Sequence, residues 1–252
     1  MLGAWRAFLA AVSTLTIVPA GRGTSWDDAD LRRAVAFFPL VGLLLGMGLA
    51  AVAEVLSFAP ALLRAALLVT FLTAATGGLH LDGLADLCDG LAGSHPGERL
   101  SIMADPRVGI YGLLGVVCLL LLKFAALASL DLARARAALM AAPAIGRWAM
   151  TLVLTSFPYP PHHTGLGSAF KAHGGSARLL AGTAVVAALA LVLPAVYVLA
   201  VLTLSAALSW AMGRYAVAKL GGATGDVYGA VCEMAETLTL VVTALAGTGG
   251  VR

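Results

Sequence analysis

The sequence predicts an all-α fold, a polytopic integral membrane helical bundle with about seven transmembrane helices, and three observations point to it. Hydrophobic residues make up 60% of the chain and charged residues only 12%, where soluble domains carry roughly a quarter charged residues. Apolar runs of bilayer length recur from end to end. Lys and Arg collect in alternate loops, as expected of a chain whose basic loops stay in the cytoplasm. So few ionisable groups could not cover a soluble globule, and the apolar content excludes a disordered chain.

Residues 1–33 hold Arg6 and an apolar run to Val18. The run loosely imitates a signal peptide and is read instead as a retained amphipathic helix at the membrane surface. A helix needs about 20 apolar residues to cross the hydrocarbon core, and that measure predicts spans over 34–56, 62–81, 108–127, 137–157, 179–193, 195–212 and 227–246. Pro194 separates two of them, because the apolar run around it is too long for one crossing and proline interrupts the helical hydrogen bonds. All seven belong to a single domain, residues 1–252, with the transmembrane bundle over 34–246.

With the N-terminus in the cytoplasm, ten Lys and Arg fall inside and four outside, while Lys123 and Arg147 lie within spans. The same orientation brings three polar segments, 80–107, 158–178 and 214–226, to one face. A site built from all three is then geometrically available. The net charge of +3 is small and dispersed, which excludes a nucleic-acid partner. Cys88, Cys118 and Cys232 are far apart, without a CxxC pair, and are read as small core residues.

The densest polar feature is GGLHLDGLADLCDG over residues 77–90. Asp82, Asp86 and Asp89 stand at i, i+4 and i+7, so on a helix they fall within roughly a 60° arc. Like charges that close repel, and either a cation offsets them or a carboxyl stays protonated. Magnesium prefers such oxygen ligands and commonly joins carboxylates to substrate phosphates. A helix end merely solvated by its aspartates is the alternative, but it does not explain their shared face. His80, on the far side of the same helix, is read as an interfacial polar residue rather than a ligand.

Pro96 with Glu98 suits the start of a short surface helix ending near Ala104. In Asp105-Pro106-Arg107, Asp105 is either the N-cap of the third span or a further metal ligand. Arg107 is either a phosphate contact or a membrane anchor. The turn GGATGD at 221–226 leads into a helix whose amides could receive an anion. Asp226 and Glu233 share a face of that helix, with Glu236 close by, and acids inside a span require a cation or a wet cavity. Lys123 could pair with such an acid or reach outward, and Arg147 could meet a phosphate in a cavity. The loop with His162, His163, Gly165, Gly167 and Lys171 is polar, but adjacent histidines lack zinc spacing.

These segments resemble the cobalamin synthases, also called adenosylcobinamide-GDP ribazoletransferases. The resemblance rests on the 77–90 segment, IMADPRVGIYG at 102–112, FFPLVGLLLG at 37–46, GLG at 165–167 and GGATGDVYGAVCEMAE at 221–236, in family order. It implies a Mg2+-dependent phosphotransferase that joins adenosylcobinamide-GDP to α-ribazole or its 5'-phosphate and releases GMP. Such an enzyme acts in the last steps of cobalamin (vitamin B12) synthesis, at the cytoplasmic face of the cell inner membrane. The chain departs from the family pattern at Ile17 and His162, where arginine is usual. His162 could replace an arginine's phosphate contact only when protonated.

The expected mechanism has Asp82, Asp86 and Asp89, with Asp105 as a fourth candidate, holding one or two Mg2+ ions against the pyrophosphate. Arg107, Arg147 and Lys171 would neutralise phosphate oxygens, and Asp89 is the first choice to accept the proton of the attacking hydroxyl. Asp226 and Glu233 would line the cavity or bind the second substrate. Two other readings compete: a CDP-alcohol phosphotransferase of lipid synthesis, although the arginine that usually follows its second Asp-Gly is missing after Asp89-Gly90, and an ion-coupled transporter using the intramembrane acids. The lipid bilayer is the surrounding partner, and a homodimer suits a membrane enzyme of this size.

Overall fold

A computed structural model describes residues 2–161, 165–171 and 175–248. Among these residues all regular elements are helices. Helix α1 (Leu2–Leu15) buries Ala7, Ala10 and Ala11 and turns Arg6 toward α2 (Asp28–Ala34), where its guanidinium donates to Asp30 at 2.6 Å. Asp27 caps α2 by accepting from the Asp30 amide. One 3-10 turn joins α2 to α3 (Phe38–Val55), and the combined helix is long and apolar enough to cross a bilayer.

Helix α4 (Ala61–Ala75) ends six residues earlier than the sequence predicts. Thr76 closes it by donating to Leu72 O, and Gly77 and Gly78 follow with φ of 62° and 73°. That left-handed backbone is accessible to glycine at little cost, and the chain turns through 89° into α5 (Leu79–Gly90). Helix α5 turns away from the direction of α4 and packs against α12, α7 and the short α6 (Pro96–Met103). His95 caps α6 through Nδ1, which accepts from the Glu98 amide, so the expected surface helix is present.

The remaining crossings follow the predicted order. They are α7 (Ile110–Ala128), α8 (Leu132–Ser156), α11 (Ala195–Leu220) and α12 (Gly225–Thr248). Between α8 and α11 come the single turn α9 (Leu166–Ala169) and the short apolar α10 (Ser176–Ala187), which a 3-10 turn extends to Leu191. Pro194 divides α10 from α11 as expected. Among the described residues five helices are long and apolar enough to cross on their own, the bent pair α4–α5 makes a sixth if it counts as one span, and α10 with its 3-10 extension is a shorter apolar helix, so five to six of the seven predicted spans are of crossing length. Helix α11 runs eight residues past its predicted end, which makes Arg214 and Lys219 helical rather than loop residues.

Helix α8 forms the centre. From Ala138 to Leu154 nearly every side chain is buried, many of them Ala or Gly. Lipid tails are as apolar as side chains, so close packing rather than water exclusion holds such helices together, and small residues permit it. Gly42 and Gly46 of α3 stand directly against the backbone of α8 around Pro143 and Leu139, where any side chain would collide. The outer faces of α7 and α11 carry exposed Leu113, Leu121, Leu199 and Leu204, the surface that a bilayer covers. Cys118 belongs to that exposed face, Cys88 is half-buried, and only Cys232 is the core residue expected of all three.

Candidate active site

Helix α5 brings the acidic cluster to α12. A side chain at Gly83 would come within 2.9 Å of the Asp226 backbone, so glycine is what lets the two helices meet and sets Asp226 beside the Asp82 and Asp86 turns. Asp82 is exposed and Asp86 half-buried. Burial, with the negative charges of Asp226, Asp82 and Asp89 around it, pushes the Asp86 carboxyl up to about 7. The crowding predicted from sequence is therefore present, with Asp226 as a member.

A cleft of about 170 Å3 opens next to this cluster. Asp82 and His80 from α5, Asp226 and Tyr228 from α12, and Tyr159, Gly165 and Gly167 from the loop after α8 all line it. Leu15 of α1 and Phe38 of α3 close its apolar side. The three polar segments thus reach one face and share one space. His162 and His163 lie outside the described residues.

Other candidates have different roles. Asp89 is nearly buried, and its two carboxylate oxygens accept from the Gly109 amide at 2.7 Å and the Gly112 amide at 2.8 Å. It supplies from α5 the cap that the start of α7 lacks locally, satisfying amides that would otherwise be orphaned. Asp105 is not the N-cap of α7, which is Gly109. Its carboxylate grips the Arg107 guanidinium at 2.6 and 2.9 Å and also accepts from the Arg107 amide, contacts that hold it down at about 2. The Arg107 side chain remains 87% exposed, at the surface.

Lys171 donates from Nζ to the carbonyl of Leu154 at 2.6 Å and to that of Phe157. It closes the C-terminal end of α8, where carbonyls have no helical donor and the helix dipole is negative. Burial and the neighbouring Arg178 hold its ammonium below the usual lysine range.

Arg147 and Glu233 belong to the bundle interior. Arg147 is fully buried and bonds to Glu236, while Lys123 reaches Glu233 and Glu236 at 2.6 Å each. Two cations and two carboxylates compensate one another there, which removes the cost of isolated charge in a bilayer. Lys123 therefore pairs inward. The intramembrane acids are accounted for without a transported ion. His80 likewise departs from the interfacial reading: it is 2% exposed, with Nδ1 3.5 Å from the Arg147 guanidinium. His80 sits on the side of α5 that packs against α12, where Gly229 approaches its backbone. Sequence reasoning also missed Tyr159 and Tyr228, which only the meeting of α5, α12 and the loop places together.

Among the described residues no three His, Cys, Asp or Glu side chains form a ready-made metal cage. Asp82 and Asp86, one turn apart on α5, are oxygen donors of the kind that Mg2+ takes one or two at a time together with phosphate oxygens. Their hard oxygens, crowded by Asp226, are a donor set that a divalent cation would relieve.

No solved structure matches the chain. Adenosylcobinamide-GDP ribazoletransferase of Desulforamulus reducens is 41% identical over 90% of this chain and 91% of that protein. The proteins of the same name from Pseudomonas aeruginosa and Syntrophobacter fumaroxidans are 39% and 38% identical, over 97% and 94% of this chain and 100% and 97% of theirs. Residues 7–244 match the family described as cobalamin-5-phosphate synthase, and with nearly the whole chain aligned to both the family and these relatives, the protein belongs to the cobalamin-5-phosphate synthase family.

Proposed function

We propose that the protein transfers the cobinamide phosphate of adenosylcobinamide-GDP to α-ribazole or its 5'-phosphate, releasing GMP, in the last steps of cobalamin synthesis. The single observation that carries this reading is the convergence of Asp82, Asp86 and Asp226 beside one cleft, in a chain whose relatives are named for that transfer. The reaction is a displacement at phosphorus. A ribazole hydroxyl oxygen forms the new P–O bond, and the bond to the GMP oxygen breaks with its electron pair leaving on GMP.

Asp82 and Asp86 are the residues that would hold Mg2+ against the diphosphate. When bound, the ion would stabilise charge on the leaving oxygen. The attacking hydroxyl must lose its proton to a positioned base. We assign that role to Asp226, which lines the cleft and accepts from the Thr224 hydroxyl at 3.2 Å, rather than to Asp89, which does not line the cleft and is held by the amides of α7. Asp89 then acts as a positioning residue. Arg107 is the one of the three predicted phosphate cations that stays at the surface, where releasing Asp105 would let it reach a phosphate. Asp105, held by Arg107, is not needed as a ligand in this scheme.

The basic residues of the loops support a cytoplasmic site in the inner membrane. The decisive experiment incubates the purified protein with adenosylcobinamide-GDP and α-ribazole, with and without Mg2+. GMP released only when both substrates and the ion are present is the expected result, and its absence under all conditions would refute the assignment.

A further inference from the structure

Two buried polar groups on the cleft wall have no hydrogen-bond partner among the described residues: Nε2 of His80 and the hydroxyl of Tyr228. The two residues are 2% and 4% exposed. Buried donors are nearly always paired, so a pair of orphans on one cavity calls for an explanation, and a ligand is the direct one.

Arg147 decides how His80 presents itself. A guanidinium offers only donors, so the imidazole nitrogen facing it, Nδ1 at 3.5 Å, must turn a lone pair toward it. The proton is then on Nε2. Arg147 is itself held by Glu236. The interior ion pairs thus orient a neutral donor on the cleft wall. Tyr228 comes from the facing helix, and Gly229 beside it lets α12 approach the His80 backbone to within 3.1 Å of a would-be side chain.

The rest of the lining narrows the occupant. Leu15, Phe38, Met150, Leu154 and Phe170 provide an apolar wall. Asp82 and Asp226 are its acids, and no Lys or Arg is among its described lining residues. With no basic side chain among these to meet a phosphate, the diphosphate is left to the Asp82 and Asp86 edge, where Mg2+ would hold it. A riboside with an apolar aromatic base suits this lining, with an apolar wall for the base and neutral donors for the sugar.

We propose that this cleft is the acceptor subsite: the apolar wall takes the ribazole base, while His80 Nε2–H and the Tyr228 hydroxyl donate to ribose oxygens. The attacking hydroxyl then points toward Asp82 and Asp226. This assignment rests on the transferase reading above and adds where the acceptor binds and which neutral side chains select it.

The test uses the full chain in detergent or nanodiscs, with α-ribazole as the probe. Calorimetry gives its affinity in the absence of the other substrate, and steady-state assays give KM for each substrate. Tyr228→Phe should weaken ribazole binding, or raise its KM, about tenfold, as expected for one lost hydrogen bond, with the KM for adenosylcobinamide-GDP changed by less than about twofold. His80→Gln, which retains an N–H donor, should lose less than His80→Ala. A rise in the KM for adenosylcobinamide-GDP alone, or ribazole parameters indifferent to Tyr228→Phe, overturns the subsite. The two readings fail separately. Ribazole binding that depends on Tyr228 without GMP release in the full reaction would sink the transferase reading and keep the subsite, whereas normal GMP release with ribazole parameters unchanged by Tyr228→Phe would do the reverse.

Discussion

Lys123 on α7 places its ammonium 2.6 Å from Glu236 on α12, inside the bundle, and the same nitrogen reaches Glu233 at the same distance. Arg147 of α8 bonds to the other oxygen of Glu236. Three helices are therefore joined by charges whose side chains are buried. Removing one member leaves an uncompensated buried charge, so Lys123→Met should destabilise the protein by about 3–5 kcal/mol. Thermal unfolding in detergent measures this. Adding Glu233→Gln to Lys123→Met should recover a substantial part of the loss, and a single variant as stable as the parent would show that these charges are not coupled.

That network also shows what the sequence could disclose. An acid at Glu233 and a lysine at Lys123 within apolar runs announce costly groups in need of partners, but not which partners, because the pairs are 110 and 113 residues apart. Arg147 reads equally well as a phosphate ligand until α12 is seen against it. Periodicity and proline placed the long crossings, whereas the turn at Gly77 and Gly78 was hidden because the apolar run continues through it to Leu81. Its consequence is large: after the 89° bend α5 packs on α12, so that the aspartate cluster meets Asp226 and His80 is buried. Spacing correctly put Asp82 and Asp86 on one face. It could not show that Asp89, one turn on, would be used by the amides of another helix.

Asp82 and Asp86 carry the chemical proposal. Asp82→Asn and Asp86→Asn should each lower GMP release by at least about 100-fold, the scale seen when one electrostatic contact to a transition state is removed. Folding should not suffer, because each change relieves like-charge crowding. Paired activity and melting measurements on correctly inserted protein separate the two effects, and near-native turnover in either variant would contradict the metal assignment.

Asp89 should behave in the opposite way. Asp89→Ala strands the Gly109 and Gly112 amides at the start of α7, and should cost about 1–3 kcal/mol for each buried group left unsatisfied. Activity per folded molecule should fall less than in the Asp82 and Asp86 variants. Hydrogen exchange at the first turn of α7 locates the damage. A fully stable Asp89→Ala protein that has lost all turnover would instead restore Asp89 as the proton acceptor.

The pH dependence of the metal-free protein follows from Asp86. Its carboxyl is raised from an ordinary 3.8 to about 7 by burial first, then by Asp226, Asp82 and Asp89. The folded state therefore holds a proton that the unfolded state has already released between these two values. Stability falls with pH wherever the folded state binds more protons, so this contribution is complete below about 3.8 and is lost as pH rises through about 7. Melting temperatures in chelator should decline across that window, and Asp86→Asn should flatten the decline because the amide does not titrate. Saturating Mg2+ should act the other way, since a ligand that binds only the folded, deprotonated carboxylates stabilises more as pH rises. If Asp86→Asn and the parent show the same slope in chelator, the crowding of Asp86 by its acidic neighbours is not what governs its proton.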